Sequence, residues 1–131
     1  MDKTDYYALR LTHTIEHLQH VSRLIYFVSG AVLAMFYFVA QHISDASAKR
    51  LLGMCLLLIL SGVNAMHAYF LHVQNGWYHK FDEKLAAAID AERPKRDAFL
   101  GSGLVHALIH GLVAVASFIA AGYVWFCEKV F

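Results

Sequence analysis

Residues 61–80 read SGVNAMHAYFLHVQNGWYHK, and this stretch decides how the rest of the chain is interpreted. It is apolar enough for a membrane helix, yet it carries Asn64 and His67 in its interior and His72 near its end. Polar and ionisable side chains are costly in hydrocarbon, and within a membrane helix they usually mark a functional site. The stretch therefore predicts a transmembrane helix with a site built into it.

The composition of the whole chain is that of a small membrane protein. Hydrophobic residues make up 59% of its 131 residues and charged residues 16%, with a mean hydropathy of +0.47. An average soluble domain has about 45–50% and about 25% respectively. We expect one membrane domain covering residues 1–131, and the net charge of +1 gives no reason to expect a nucleic-acid partner. Nine histidines are the unusual feature of the composition.

Three stretches are long and apolar enough to cross a hydrocarbon core of about 30 Å, which needs about 20 residues of helix. They cover residues 21–43, 51–72 and 98–126. The sequence therefore predicts an all-α integral membrane protein with three transmembrane helices, in contact with the lipid bilayer. In the first span, Gly30 and Ala34 form a small-residue pair that permits close helix packing.

Two further helices are expected outside the spans. Residues 4–20 predict an N-terminal helix, interfacial or cytoplasmic, with no breaker before the first span. Residues 77–92 repeat an apolar side chain every four positions, which is typical of an amphipathic helix lying at the membrane interface. Pro94 follows and marks the end of that helix.

The distribution of basic residues predicts the orientation. Eight of the eleven Lys and Arg residues fall on the side that holds the N-terminus and the segment after the second span: Lys3, Arg10, Arg23, Lys80, Lys84, Arg93, Lys95 and Arg96. The positive-inside rule places that side in the cytoplasm. We therefore expect a multi-pass protein of the inner or plasma membrane, with a cytoplasmic N-terminus and no cleaved signal peptide.

The predicted topology brings histidines of different spans to one depth. His67 lies about five residues inside the second span and His106 about eight inside the third, which is a similar depth at about 1.5 Å per residue. Asn64 and His110 each lie about one turn deeper. The sequence therefore predicts a polar cluster of Asn64, His67, His106 and His110 near the cytoplasmic face.

Haem b is the first ligand that such a cluster suggests. Two histidines that face each other from neighbouring helices can ligate its iron, and His67 facing His106 or His110 meets this requirement. Small residues at 103, 107 and 111 supply space for the macrocycle. The function expected on this interpretation is an electron-transfer or quinone-linked subunit of a larger complex. Other membrane subunits or a second copy would close the site from lipid.

Two alternatives remain open. His13, His17 and His20 lie at i, i+4 and i+7, on one helix face, and with His106 and His110 they form a candidate site for iron, copper or zinc. That pattern suggests a membrane metalloenzyme or a metal transporter. The other alternative is a cofactor-free structural subunit whose histidines connect helices by hydrogen bonds. Cys55 and Cys127 match no metal-binding motif.

In outline the chain resembles the membrane-anchor subunits of succinate dehydrogenase and fumarate reductase, which have a similar length and three spans. The resemblance implies haem ligation by the histidine of the second span, here His67. That family carries a His-Arg-x-Ser-Gly string at the first span. This chain lacks the string, and residues 20–23, His-Val-Ser-Arg, are only faintly similar to it. The layout is also similar to that of diacylglycerol kinases, but the spans contain no carboxylate to match the catalytic glutamates of that family.

Overall fold

The protein is built from three α-helices. The structure, a computed structural model, describes residues 2–89 and 103–127. Helix α1 covers Lys3–His42, α2 covers Ala46–Ala88 and α3 covers Gly103–Phe126. Each of the three is long and apolar enough to cross a membrane, which fits the multi-pass membrane protein predicted from the sequence.

Capping residues define the hairpin formed by α1 and α2. Asp2 precedes α1 and its carboxylate accepts a hydrogen bond from the Lys3 backbone N–H. At the other end, the Ile43 N–H donates to the carbonyl of Val39 and ends the helix. Only three residues, 43–45, connect α1 to α2, and the Asp45 side chain accepts from the Ala48 N–H at 2.6 Å. An N-cap aspartate satisfies N–H groups that lack partners within the helix, so α2 begins immediately after this turn.

The helices are longer than the sequence pattern predicts. The expected segments 4–20 and 21–43 are both part of α1, and the expected segments 51–72 and 77–92 are both part of α2 up to its end at Ala88. No proline interrupts either helix, and Gly76 is accommodated within α2. The N-terminal and amphipathic helices that the sequence predicts as separate elements are therefore parts of α1 and α2. Residues 90–92 and 98–102, Pro94 and the basic residues 93–96 lie outside the described residues.

Helix α2 lies at the centre and packs against α1 on one side and α3 on the other. The contact with α1 contains a cluster of buried aliphatic side chains: Val32, Val39, Leu56 and Leu60. The contact with α3 contains a second cluster: Leu57, Ala121 and Val124. Phe36 packs against both clusters. This apolar core occupies the half of the molecule that is closer to the turn at residues 43–45.

The outer faces of all three helices expose large apolar side chains. Phe27 is 75% exposed on α1, Met66 73% on α2 and Leu112 70% on α3. A surface of this kind is unfavourable in water, because contiguous apolar patches are rare on soluble monomers. Hydrocarbon is the solvent that suits it.

The small residues of the first and third spans differ in their packing. Gly30 and Ala34, the predicted packing pair of the first span, are both exposed, so they do not form a contact within the described chain. On α3, Ala107 and Ala114 are buried. A Cβ added at Gly111 would meet no atom within 4 Å, so close packing does not explain this glycine.

The α1–α2 hairpin extends beyond the level at which α3 begins. His110 of α3 lies beside His67 of α2, and α3 begins only two turns before His110. Residues 3–20 of α1 and 73–88 of α2, called the stalk below, lie beyond the level of the buried histidines, and their far ends project past the described start of α3. Lys84 lies over the Tyr7 ring with its Nζ 5.7 Å from the ring centroid, so the two helices remain side by side along the stalk.

Candidate functional site

The three most deeply buried polar side chains gather where the three helices meet. His67 and Asn64 of α2 are 1% and 2% exposed, and His110 of α3 is 5% exposed. Three residues of α1 complete the group by hydrogen bonds or ring contacts: Ser22, Tyr26 and Ser29. These six residues are called the polar cluster. The expected convergence of Asn64, His67 and His110 is thus present in the structure.

His67 is held by only one of its two ring nitrogens. Its Nε2 lies 3.1 Å from the hydroxyl oxygen of Ser22, a hydrogen bond between α2 and α1. Its Nδ1 is buried, and within residues 2–89 and 103–127 it has no hydrogen-bond partner. Leaving a buried polar atom unsatisfied costs about 1–3 kcal/mol, so such an atom calls for an explanation.

His110 is oriented by the amide of Asn64. The amide nitrogen of Asn64 donates to the carbonyl of Leu60 at 2.9 Å and to the Ser29 hydroxyl at 3.3 Å. Its amide oxygen therefore faces His110 Nδ1, at 2.6 Å. An amide oxygen only accepts, so Nδ1 carries the hydrogen, and in the neutral ring Nε2 retains a lone pair. Nε2 has a long contact with the Tyr26 hydroxyl, at 3.5 Å.

The two buried imidazoles lie close together. The ring centroids of His67 and His110 are 4.2 Å apart, with an interplanar angle of 63°. The Tyr26 ring lies 6.2 Å from the His67 ring and 5.4 Å from the His110 ring. Tyr26 is itself 53% exposed, so its ring covers the histidine pair from the outer surface.

The distance between the two imidazole rings can be compared with the distance that haem ligation requires. Two histidines on opposite faces of a haem iron, each with a metal–nitrogen bond of about 2 Å, have ring centroids about 6 Å apart. The observed 4.2 Å leaves no room for a macrocycle between His67 and His110. Haem ligation by this pair remains a prediction, and it requires the two ring centroids to move apart by about 2 Å.

The other predicted ligands lie apart from the buried pair. His106 is exposed, although it is only one turn from His110, and His13, His17 and His20 are also exposed. The His17 ring packs edge-on against Phe70 at 5.4 Å, where α1 and α2 meet at the base of the stalk. In the described part of the chain, no group of three or more His, Cys, Asp or Glu side chains is arranged to hold a metal ion.

The α1 members of the polar cluster were missed by the sequence interpretation. Ser22, Tyr26 and Ser29 lie at i, i+4 and i+7, which is one face of a helix. That polar stripe, inside an otherwise apolar span, is the signal that could have identified them.

A surface cleft and the two cysteines lie away from the polar cluster. An open cleft near the turn at residues 43–45 is lined by Ser47, Arg50, Leu51 and Trp125, at the end of α3 opposite to the polar cluster. Cys55 and Cys127 are both free thiols. Neither feature contacts the buried histidines.

Comparison with known proteins gives no match to a protein-family model, a curated protein or a solved structure. The geometry of the polar cluster is therefore the basis for the functional proposal.

Proposed function

We propose that this protein is a small multi-pass membrane subunit whose polar cluster binds an ion or a cofactor for electron transfer or ion handling. The observation that supports this proposal is the buried Nδ1 of His67, which has no partner within the described residues and lies beside a second buried imidazole. A purely structural histidine would be expected to use both ring nitrogens, because an unsatisfied buried nitrogen is costly.

The proposed surroundings are the lipid of the inner or plasma membrane, which suits the apolar outer faces of the helices. The excess of basic residues on the side of the N-terminus supports a cytoplasmic stalk. Other membrane subunits or a second copy of the chain are the partners that we propose, since electron transfer requires a redox partner.

The second candidate function is that of a cofactor-free structural subunit. The observation in its favour is that polar contacts connect α2 to both of its neighbours. Ser22 and Ser29 bond to α2 from α1, and Ser61 donates to the carbonyl of Ala114 in α3 at 2.8 Å. In membranes such bonds contribute on average about 0.6 kcal/mol each, so these contacts stabilise the bundle.

The first experiment is purification of the full chain from its native membrane in mild detergent, followed by absorption spectroscopy before and after dithionite and by elemental analysis. The proposed function predicts either a haem spectrum or a stoichiometric metal. A Soret band with reduced α and β bands identifies haem and implies that the helices separate to admit it.

Two variants link the result to the polar cluster. His67→Phe should abolish the chromophore or the metal, whereas His42→Phe, which replaces an exposed histidine at the end of α1, should retain it. A protein with neither haem nor metal, and with unchanged assembly in His67→Phe, would leave the structural subunit as the function.

A further inference from the structure

In each of the two buried histidines, one ring nitrogen makes a hydrogen bond of ordinary length, and the other makes no short hydrogen bond with the described residues. In His67, Nε2 contacts Ser22 and Nδ1 is free of partners among the described residues. In His110, Nδ1 donates to Asn64, and the hydrogen-bond contact of Nε2 among the described residues is the 3.5 Å one with Tyr26. Metal-ligating histidines show this division: one nitrogen binds the ion, and the other is held by a hydrogen bond that fixes the ring.

The spacing of the two rings suits one small ion. Neighbouring ligands of a single ion, with metal–nitrogen bonds of about 2 Å, place imidazole centroids about 4.5–5 Å apart. The observed 4.2 Å is within a small side-chain adjustment of that value, whereas ligands on opposite sides of an ion need about 6 Å.

Tyr26 supplies a third donor atom, its phenol oxygen, at a suitable distance from His110. Its hydroxyl lies 3.5 Å from His110 Nε2, which is longer than a typical O–H···N hydrogen bond. Two donor atoms of one tetrahedral ion are about 3.3 Å apart when each bond is about 2 Å. The spans contain no Asp or Glu, so the phenol is the acidic group beside the pair and, as a phenolate, would offset part of the charge of a cation.

We infer that the polar cluster holds one first-row transition-metal ion, Zn²⁺ or Cu²⁺, ligated by Nδ1 of His67, Nε2 of His110 and the phenol oxygen of Tyr26. Imidazole and phenolate donors suit these ions and disfavour Mg²⁺ and Ca²⁺, which prefer sets of carboxylate, carbonyl and water oxygens. Ser22 and Asn64 are positioning residues that orient the rings. This inference rests on the proposed function, and it names the ligand of that same cluster.

The test uses the full chain without a histidine tag, stripped of metal in mild detergent and titrated with Co²⁺ alone. Tetrahedral Co²⁺ absorbs visibly, and Zn²⁺ then displaces it. We expect about one Co²⁺ per chain. A triple variant His13→Gln, His17→Gln, His20→Gln, which removes the exposed histidines of the stalk, should bind an equal amount.

Paired substitutions separate ligation from packing. In His67→Gln the amide can replace the Nε2 contact with Ser22 but leaves nothing at the Nδ1 position, and in His110→Asn the amide can replace the Nδ1 contact with Asn64 but not Nε2. Both variants should keep their helical circular dichroism and lose Co²⁺ binding. Ser22→Ala removes only an orienting bond and should weaken binding about 10- to 100-fold.

The outcomes distinguish this inference from the proposed function. Absence of Co²⁺ binding by the parent chain, together with a haem band that His67→Gln abolishes, overturns the metal ion and leaves the proposed function standing. Absence of both metal and haem overturns both. If either variant fails to fold, X-ray absorption spectroscopy of the metal-loaded parent chain decides. Two imidazole ligands support the inference, and fewer than two imidazole ligands overturn it.

Discussion

Asn64 determines the chemistry of its neighbour, because its amide oxygen fixes which nitrogen of His110 carries the hydrogen. The orientation of that amide is in turn fixed by the Leu60 carbonyl and the Ser29 hydroxyl. One side chain thus connects α1, α2 and α3. This makes Asn64 the most informative position at which to measure how strongly the polar cluster stabilises the bundle.

The substitution Asn64→Leu should lower the free energy of unfolding by about 1–3 kcal/mol. The variant leaves His110 Nδ1–H and the Ser29 hydroxyl without their partner in a buried position. Unfolding in mixed micelles, followed by circular dichroism, measures the loss. The matched control is Met66→Leu on the outer face of α2, which should change the value by less than about 0.5 kcal/mol. Equal free energies of unfolding of the two variants would mean that the polar cluster does not stabilise the contacts between the helices.

Part of the polar cluster could be predicted from residue positions alone. Matching depth across antiparallel spans predicts His67 level with His106 and Asn64 level with His110, because depth depends only on the rise per residue. The contact between Asn64 and His110 at 2.6 Å agrees with this expectation. The rotation of each helix about its axis is not fixed in this way. His106 was therefore expected beside His110, but it is exposed because the buried stripe of α3 passes through Ala107 and His110.

At the scale of the helices, the sequence predicts where apolar stretches begin and end. It does not predict where the helices that contain them begin and end. The polar segments 4–20 and 73–88 contain no proline, so their backbones continue the hydrogen bonding of the adjoining spans. A change from apolar to amphipathic composition marks a change of surroundings. It does not interrupt a helix, and this explains why two predicted boundaries are absent.

Two arginine substitutions test which parts of the helices lie in lipid. Leu112 on α3 and Leu9 on the stalk are both exposed, so a water-soluble protein would tolerate arginine at either position. Arginine in the middle of a membrane helix costs about 2.5–3.5 kcal/mol on insertion scales. Leu112→Arg should therefore reduce the amount of protein in the membrane fraction several-fold, whereas Leu9→Arg should leave it unchanged. Similar yields for the two variants would argue against insertion of α3.

At the scale of the whole molecule, the orientation is open to direct measurement. In a background of Cys55→Ala and Cys127→Ala, single cysteines replace Leu9 in the stalk and Ser44 in the turn after α1; both positions are exposed. A membrane-impermeant maleimide should label Ser44→Cys in intact cells or spheroplasts and Leu9→Cys only after permeabilisation, because the basic residues favour a cytoplasmic stalk. The reverse pattern would place the N-terminus outside.

The length of the hairpin has a mechanical consequence. The stalk portion of α1 extends about 27 Å past the level of the buried histidines, at about 1.5 Å per residue. Because the stalk helices are continuous with the helices that form the polar cluster, a tilt of about 5° at the histidines would displace the far end of the stalk by about 2 Å. The hairpin can therefore act as a lever arm, because a small change of helix tilt near His67 becomes a larger displacement at the far end of the stalk.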